Sequence, residues 1–276
     1  MSESNASNAS NILTHRVSGE GEPLLLLNGG LMSIAAWDKI AAPLEGRFQV
    51  VRCDFRGQLL SPGEPEPRLE AHVADVIALL DHLGIERVHL AGVSYGALVA
   101  LRLASMYPER VRSVAAVSTA DRITPRIWKE TAEMREIALE AAAGGDGGRV
   151  LDFLLPRTYT AAYLESQNTA MGFYRQWVAA LPVVWYRGLA ALLASMQGLD
   201  LTPHLGAIRC PVLIVGAEGD RTFPPEHSRA LAEGIAGSRL VIEPGGSHGF
   251  IVEHSERVQE LLLDFFSSLD SDPGAS

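Results

Sequence analysis

The sequence predicts an α/β fold: a doubly wound, mostly parallel sheet carrying a helical insertion. Three observations predict it. Strand-length apolar runs alternate with helix-length patterns over residues 12–121, the alternation stops over 122–207, and it resumes over 208–268. Strands separated by helices of this length pair in parallel through right-handed crossovers. The core is therefore expected at 12–121 and 208–268, with the insertion at 122–207 and polar tails at 1–11 and 269–276.

Each element has its own signal. "ILTHRVS" (12–18) is a short strand candidate. "PLLLLN" (23–28) and "FQVVRC" (48–53) are continuous apolar runs of the kind that central strands buried on both faces show. "LEAHVADVIALLDHLG" (69–84) sets Val73, Val76, Ile77, Leu80 and Leu83 on one helical face, and Gly84 stops the helix. A strand at 87–92, a helix at 95–107 and a strand at 112–118 continue the rhythm. The insertion holds helical stretches, with "GGDGG" (144–148) between two of them, and Trp128, Trp177 and Trp185. "CPVLIVG" (210–216), a helix near 226–236, "RLVIEP" (239–244) and a helix near 255–268 close the chain.

Composition narrows the function. A net charge of −10 with no basic cluster argues against nucleic acid or anionic membrane as a partner. No apolar run reaches the ~20 residues of a membrane span, and no charged-then-apolar leader opens the chain. A cytoplasmic location follows by default, and the sequons at Asn5 and Asn8 then read as accidents of composition. Cys53 and Cys210 read as buried, reduced thiols. No metal or organic cofactor is implied, since no Cys/His cluster has ligand spacing and no G-x-G-x-x-G opens a helix. The expected partner is a small molecule with an apolar portion; self-association stays open.

The chemistry centres on "HLAGVSYGALVAL" (89–101), where a serine stands between two glycines as an apolar run becomes a helical one. Neither element gains stability from glycine there. In G-x-S-x-G the serine occupies a strained strand-to-helix turn, and both glycines give room for a close backbone approach. With 26 glycines in the chain the pattern alone is weak; its place between a strand and a helix gives it meaning. A serine hydroxyl needs a base, and the base an orienting acid. Asp220 and His248 each follow a late strand, in the order Ser94, Asp220, His248. Glu218 and Asp121 compete for the acid role. The oxyanion donors are expected to be the N–H groups of Tyr95, at the head of the helix, and of Gly30, with Leu31 as the fallback.

On these residues the chain resembles the α/β-hydrolase superfamily over about residues 12–268. The matching segments are "LLLLNGG" with Trp37, "VVRCDFRG" (50–57), residues 79–118, "CPVLIVGAEGD" (210–220) and "GGSHGF" (245–250). The phrasing is most similar to the branch of 3-oxoadipate enol-lactonases, small carboxylesterases, C–C bond hydrolases and cofactor-free haloperoxidases. The resemblance implies a nucleophile at Ser94, an acid at Asp220, a base at His248 and oxyanion donors at Gly30 and Tyr95. It also implies that the insertion caps the site. Two departures stand out: Asn28 replaces the family's common histidine, and "RGQLLS" (56–61) replaces its Gly-x-Gly-x-Ser.

Three functions fit. The first is a serine esterase or lactonase. The second is a C–C bond hydrolase or lyase using the same residues. The third is a ligand receptor on a hydrolase scaffold. Substrate choice is expected in the cap, where Trp128, Phe153, Tyr159, Phe173, Tyr174, Trp177, Trp185 and Tyr186 either line a pocket or pack cap helices onto the core. Leu31, Met32 and Tyr95 are expected in the pocket because they stand beside the oxyanion site and the nucleophile.

Overall fold

The computed structural model describes residues 12–59 and 61–269. The tails expected at 1–11 and from 270 onward, the two sequons and Leu60 lie outside them. Leu269, assigned to the tail by sequence, still belongs to the last helix.

The chain runs β1 (His15–Ser18), β2 (Glu22–Leu27), α1 (Asp38–Leu44), β3 (Phe48–Cys53), α2 (Leu69–His82), β4 (Val88–Val93), α3 (Tyr95–Met106) and β5 (Val111–Val117). The insertion follows as α4 (Pro125–Ala142), α5 (Arg149–Thr158), α6 (Ala161–Ser166), α7 (Asn168–Ala179) and α8 (Val183–Ala194). The chain closes with β6 (Val212–Ala217), α9 (Pro225–Gly234), β7 (Arg239–Glu243), α10 (Phe250–Glu253) and α11 (Ser255–Leu269). The strands form one seven-stranded sheet in the order β1-β3-β2-β4-β5-β6-β7. Only β1 runs antiparallel to its neighbour.

Period-two alternation divides the central strands between two apolar layers. Leu25, Leu27, Leu90 and Ile214 face the layer that holds α2, α3 and α9. Leu24, Leu26, Ala91 and Leu213 face α1 and α11 on the other side. Both faces are covered, which is why these strands read as unbroken apolar runs. The strand predicted from Cys210 starts at Val212, because Pro211 has no N–H to give the ladder. Cys53 is buried and Cys210 half-buried, and both thiols are unpaired. Burial pushes the Cys210 thiol up to about 11 and the Cys53 thiol higher still. Among the described residues no single helix is long and apolar enough to cross a membrane.

The insertion leaves the core from β5 and returns before β6. Its base is closed by Ile123 N–H donating to Leu199 O and Leu201 N–H donating to Asp121 O, both at 2.8 Å. A second attachment lies at α8. A Cβ on Gly188 would stand 2.0 Å from the Gly57 carbonyl oxygen, and one on Gly57 would stand 2.7 Å from Gly188 Cα. The loop after β3 and the helix α8 thus touch backbone to backbone, which only glycine permits. Gly188→Ala is expected to lower stability by about 1–3 kcal/mol through overpacking. Calorimetric melting of the variant would check this; a midpoint equal to that of the parent would contradict it.

Candidate active site

Ser94 joins β4 to α3 with φ 52° and ψ −114°, a strained backbone. The neighbours hold it there. Its N–H donates to Val117 O at 2.9 Å, and its carbonyl accepts from Thr119 Oγ1 at 3.0 Å. Both glycines are required. A Cβ at Gly92 would meet Gly96 O at 2.5 Å, and one at Gly96 would meet Leu27 O at 2.2 Å. The helix head therefore packs directly on the end of β2, and the serine side chain stands above the carboxyl edge of the sheet, where such folds carry their sites.

The structure brings the three predicted side chains together. His248 Nε2 lies 3.1 Å from Ser94 Oγ, and His248 Nδ1 lies 2.8 Å from Asp220 Oδ2. Asp220 Oδ1 accepts from the N–H groups of Thr222 (2.9 Å) and Phe223 (2.8 Å). A carboxylate so placed only accepts, so Nδ1 carries the imidazole proton and Nε2 turns a lone pair to the hydroxyl. The Asp220 side chain is fully buried and that of His248 nearly so, 0% and 11% exposed. Phe223 sets its edge against the imidazole, 5.3 Å between centroids. The histidine loop is held from the insertion: Thr158 O accepts from Gly249 N–H and from Ser247 Oγ, both at 2.7 Å.

The competing carboxylates stand elsewhere. Glu218 is exposed. Asp121 is buried against a different histidine, His227 Nδ1, at 2.5 Å. That pair ties α9 to the base of the insertion. It was not legible in the sequence, since the two residues are far apart along the chain and neither lies in a motif.

Asn28 is buried in a polar cluster. Its Nδ2 donates to Asp54 Oδ1 at 2.9 Å and Gln58 Oε1 at 3.3 Å, and its Oδ1 accepts from Trp37 Nε1 at 2.8 Å. Burial raises the Asp54 pKa, opposed by hydrogen bonds from the Ile34 N–H and the Asn28 amide. Two residues after Gly57, the family's second glycine is replaced by Leu59, whose φ is 40°. A left-handed leucine costs roughly 1–2 kcal/mol, and its side chain joins the lining of the cavity in front of Ser94.

That cavity holds about 720 Å³. Gly30, Leu31, Met32, Ser94 and His248 line it from the core, and Trp177 and Trp185 from the insertion. Trp128 does not. The cavity face of α4 carries Ile127, Glu130, Thr131 and Met134, spaced i, i+3, i+4, i+7; Trp128 stands about 100° round from it and packs on the core. Phe153, Tyr159 and Tyr174 line the cavity, whereas Phe173 and Tyr186 do not. Phe173 points to solvent, and the Tyr186 hydroxyl donates to Val178 O. Tyr95 adds to the lining, but its ring is buried between Phe55 and His72 and its hydroxyl meets Ser195 Oγ of the insertion at 2.8 Å. Among the described residues no three His, Cys, Asp or Glu side chains stand where they could share a metal ion.

A doubly wound sheet that offers a base-linked serine to an apolar cavity is the architecture of a hydrolase. Residues 22–255 match the model of the alpha/beta hydrolase fold family, and the chain belongs to that family. It is similar to a putative carbamate hydrolase RutD of Klebsiella pneumoniae subsp. pneumoniae, 31% identical over 90% of this chain and 93% of the relative. It is also similar to a 2-hydroxymuconate semialdehyde hydrolase of Pseudomonas sp. strain CF600, 29% identical over 92% and 90% of the two chains. Among solved structures, the enol-lactonase from Burkholderia xenovorans LB400 superposes with a TM-score of 0.82 at 29% identity, covering 92% of this chain and 96% of that one.

Proposed function

We propose that the protein is a serine hydrolase of carboxylic esters or lactones. The observation that carries this is the unbroken hydrogen-bonded series from Ser94 Oγ through His248 to buried Asp220. Ser94 Oγ attacks the carbonyl carbon while His248 Nε2 takes its proton. Asp220 holds the tautomer and stabilises the imidazolium. The N–H groups of Gly30 and Tyr95 receive the oxyanion; that of Tyr95, first in its helix, has no intrahelical acceptor. The imidazolium proton passes to the departing alkoxide. Water then attacks the acyl-enzyme, losing its proton to Nε2, and Oγ recovers a proton as the acid leaves. The insertion acts as a cap, and the apolar lining beneath it favours a substrate with an apolar acyl or alcohol part.

A fluorophosphonate probe should label Ser94 in the parent and not in Ser94→Ala. The parent should turn over p-nitrophenyl acyl esters or simple lactones faster than a vinylogous diketone. Preference for the diketone would move the assignment to C–C bond cleavage. A folded protein that neither labels nor turns over any of them would be a receptor on this scaffold.

A further inference from the structure

Asn28 and Gln58, the residue before the departure at Leu59, meet behind the loop that follows β2. Gln58 is buried, and its Nε2 lies 3.2 Å from Gly29 O and 3.2 Å from Gly30 O. Its Oε1 accepts from Phe55 N–H at 2.9 Å and from Asn28 Nδ2 at 3.3 Å. The acceptor contacts fix which end of the amide is which: oxygen toward Phe55 and Asn28, nitrogen toward the two carbonyls. Its own backbone is fastened on both sides, N–H to Phe55 O at 2.8 Å and carbonyl to Ser61 N–H at 2.9 Å.

In a trans peptide the C=O of one residue and the N–H of the next point in opposite directions. The Gly29 carbonyl shares its plane with the Gly30 N–H, and the Gly30 carbonyl shares its plane with the Leu31 N–H. An amide that draws both carbonyls backward therefore turns both N–H groups forward. Gly29, Gly30 and Leu31 line the cavity in front of Ser94, whereas Gln58 does not. A Gly-Gly pair has little intrinsic preference to keep these planes in place. Within the loop Met32 N–H holds the Gly29 carbonyl, at 3.1 Å; Gln58 adds a second hold on that carbonyl and holds the Gly30 carbonyl as well.

We propose that Gln58 is a positioning residue of the oxyanion site: its side-chain amide holds the Gly29 and Gly30 carbonyls away from Ser94 and thereby keeps the Gly30 N–H, the donor that works with Tyr95, and the Leu31 N–H beside it turned toward the cavity. Asn28 supports it in turn, steering the Gln58 amide through Oε1 and fastening to Trp37 and Asp54. The glutamine and the asparagine are thus one device: Asn28 stands where the family commonly has histidine, and Gln58 stands at the open position of Gly-x-Gly-x-Ser, beside the departure at Leu59. The proposal rests on the serine-hydrolase reading above.

Gln58→Glu tests it. A carboxylate keeps the acceptor for Phe55 and Asn28 but has no hydrogen to hold the carbonyls. The Gly30–Leu31 plane is then free to turn its N–H back toward the negative charge, and the Gly29–Gly30 plane keeps only the Met32 N–H on its carbonyl. The expected result is a fall of about 10²–10³-fold in kcat for p-nitrophenyl butyrate, the scale for losing oxyanion donors, with KM within threefold of the parent. Affinity for a trifluoromethyl ketone, whose serine adduct carries the oxyanion, should fall in parallel. Affinity for the matching methyl carbinol, which forms no adduct, should not. A folded Gln58→Glu with parental kcat overturns the proposal, as does a loss confined to KM or to the melting temperature. If that variant fails to fold, Gln58→His carries the test: its single ring N–H can hold one carbonyl, so an intermediate kcat is expected and a parental one overturns the proposal. Absence of labelling and turnover in the parent itself would defeat the hydrolase reading, and this inference with it.

Discussion

Replacing Ser94 with alanine should lower ester turnover by roughly 10⁶-fold, the scale seen when a serine nucleophile is removed, while leaving the fold intact. Among the described residues the hydroxyl makes one side-chain hydrogen bond, to His248, whose net worth is about 1 kcal/mol. The strain at Ser94 belongs to the backbone, which Val117, Thr119 and the two flanking glycines hold in place. Alanine inherits that strain unchanged. Thermal melting should therefore shift by only a few degrees, roughly 2–4 °C per kcal/mol for a chain approaching this size. Turnover above about a hundredth of the parent's, against the scale expected for a lost nucleophile, would mean that another group does the chemistry.

Asp220→Asn should cost about 10⁴-fold in kcat, the effect of presenting a base with the wrong tautomer. Asparagine can keep its oxygen on the N–H groups of Thr222 and Phe223. Its NH₂ then faces His248 Nδ1, which must become an acceptor and leave the proton on Nε2. The lone pair needed by Ser94 is gone although every heavy atom stays in place. Glu218→Gln, at an exposed position, should leave kcat near the parent's. Steady-state kinetics on the two variants would check both expectations. Equal losses, or a loss in Glu218→Gln alone, would reassign the acid.

How much of this could be read from residues alone depended on whether the signal was local. The buried strands were legible because burial on both faces makes their sequences continuously apolar. The serine turn was legible because Gly92 and Gly96 have no other reason to stand there. Helix α1 was missed, although Trp37, Ile40, Ala41 and Leu44 have helical spacing and all pack on one side of the sheet; it is one short element with Pro43 inside it. Trp128 was misplaced because helical phase, not residue type, decides which aromatics face the cavity. The Asp121–His227 pair and the bond from Tyr95 to Ser195 join residues 106 and 100 positions apart, and no local pattern announces either. The departures at Asn28 and in the loop 56–61 were visible one by one, but the contact of Asn28 with Gln58 was not.

The glycine-to-glycine seam between the loop after β3 and α8 bears on how a substrate arrives. A joint with no side chains between its halves cannot slide without backbone collision, so the insertion is fixed to the core there. Trp177, half exposed and also part of the cavity wall, stands on α7, a different helix from the one that makes this contact. Entry and product escape should therefore use the side of the cavity that Trp177 closes. Variants that stiffen that side should slow exchange with bulk solvent and leave the bond-breaking step untouched.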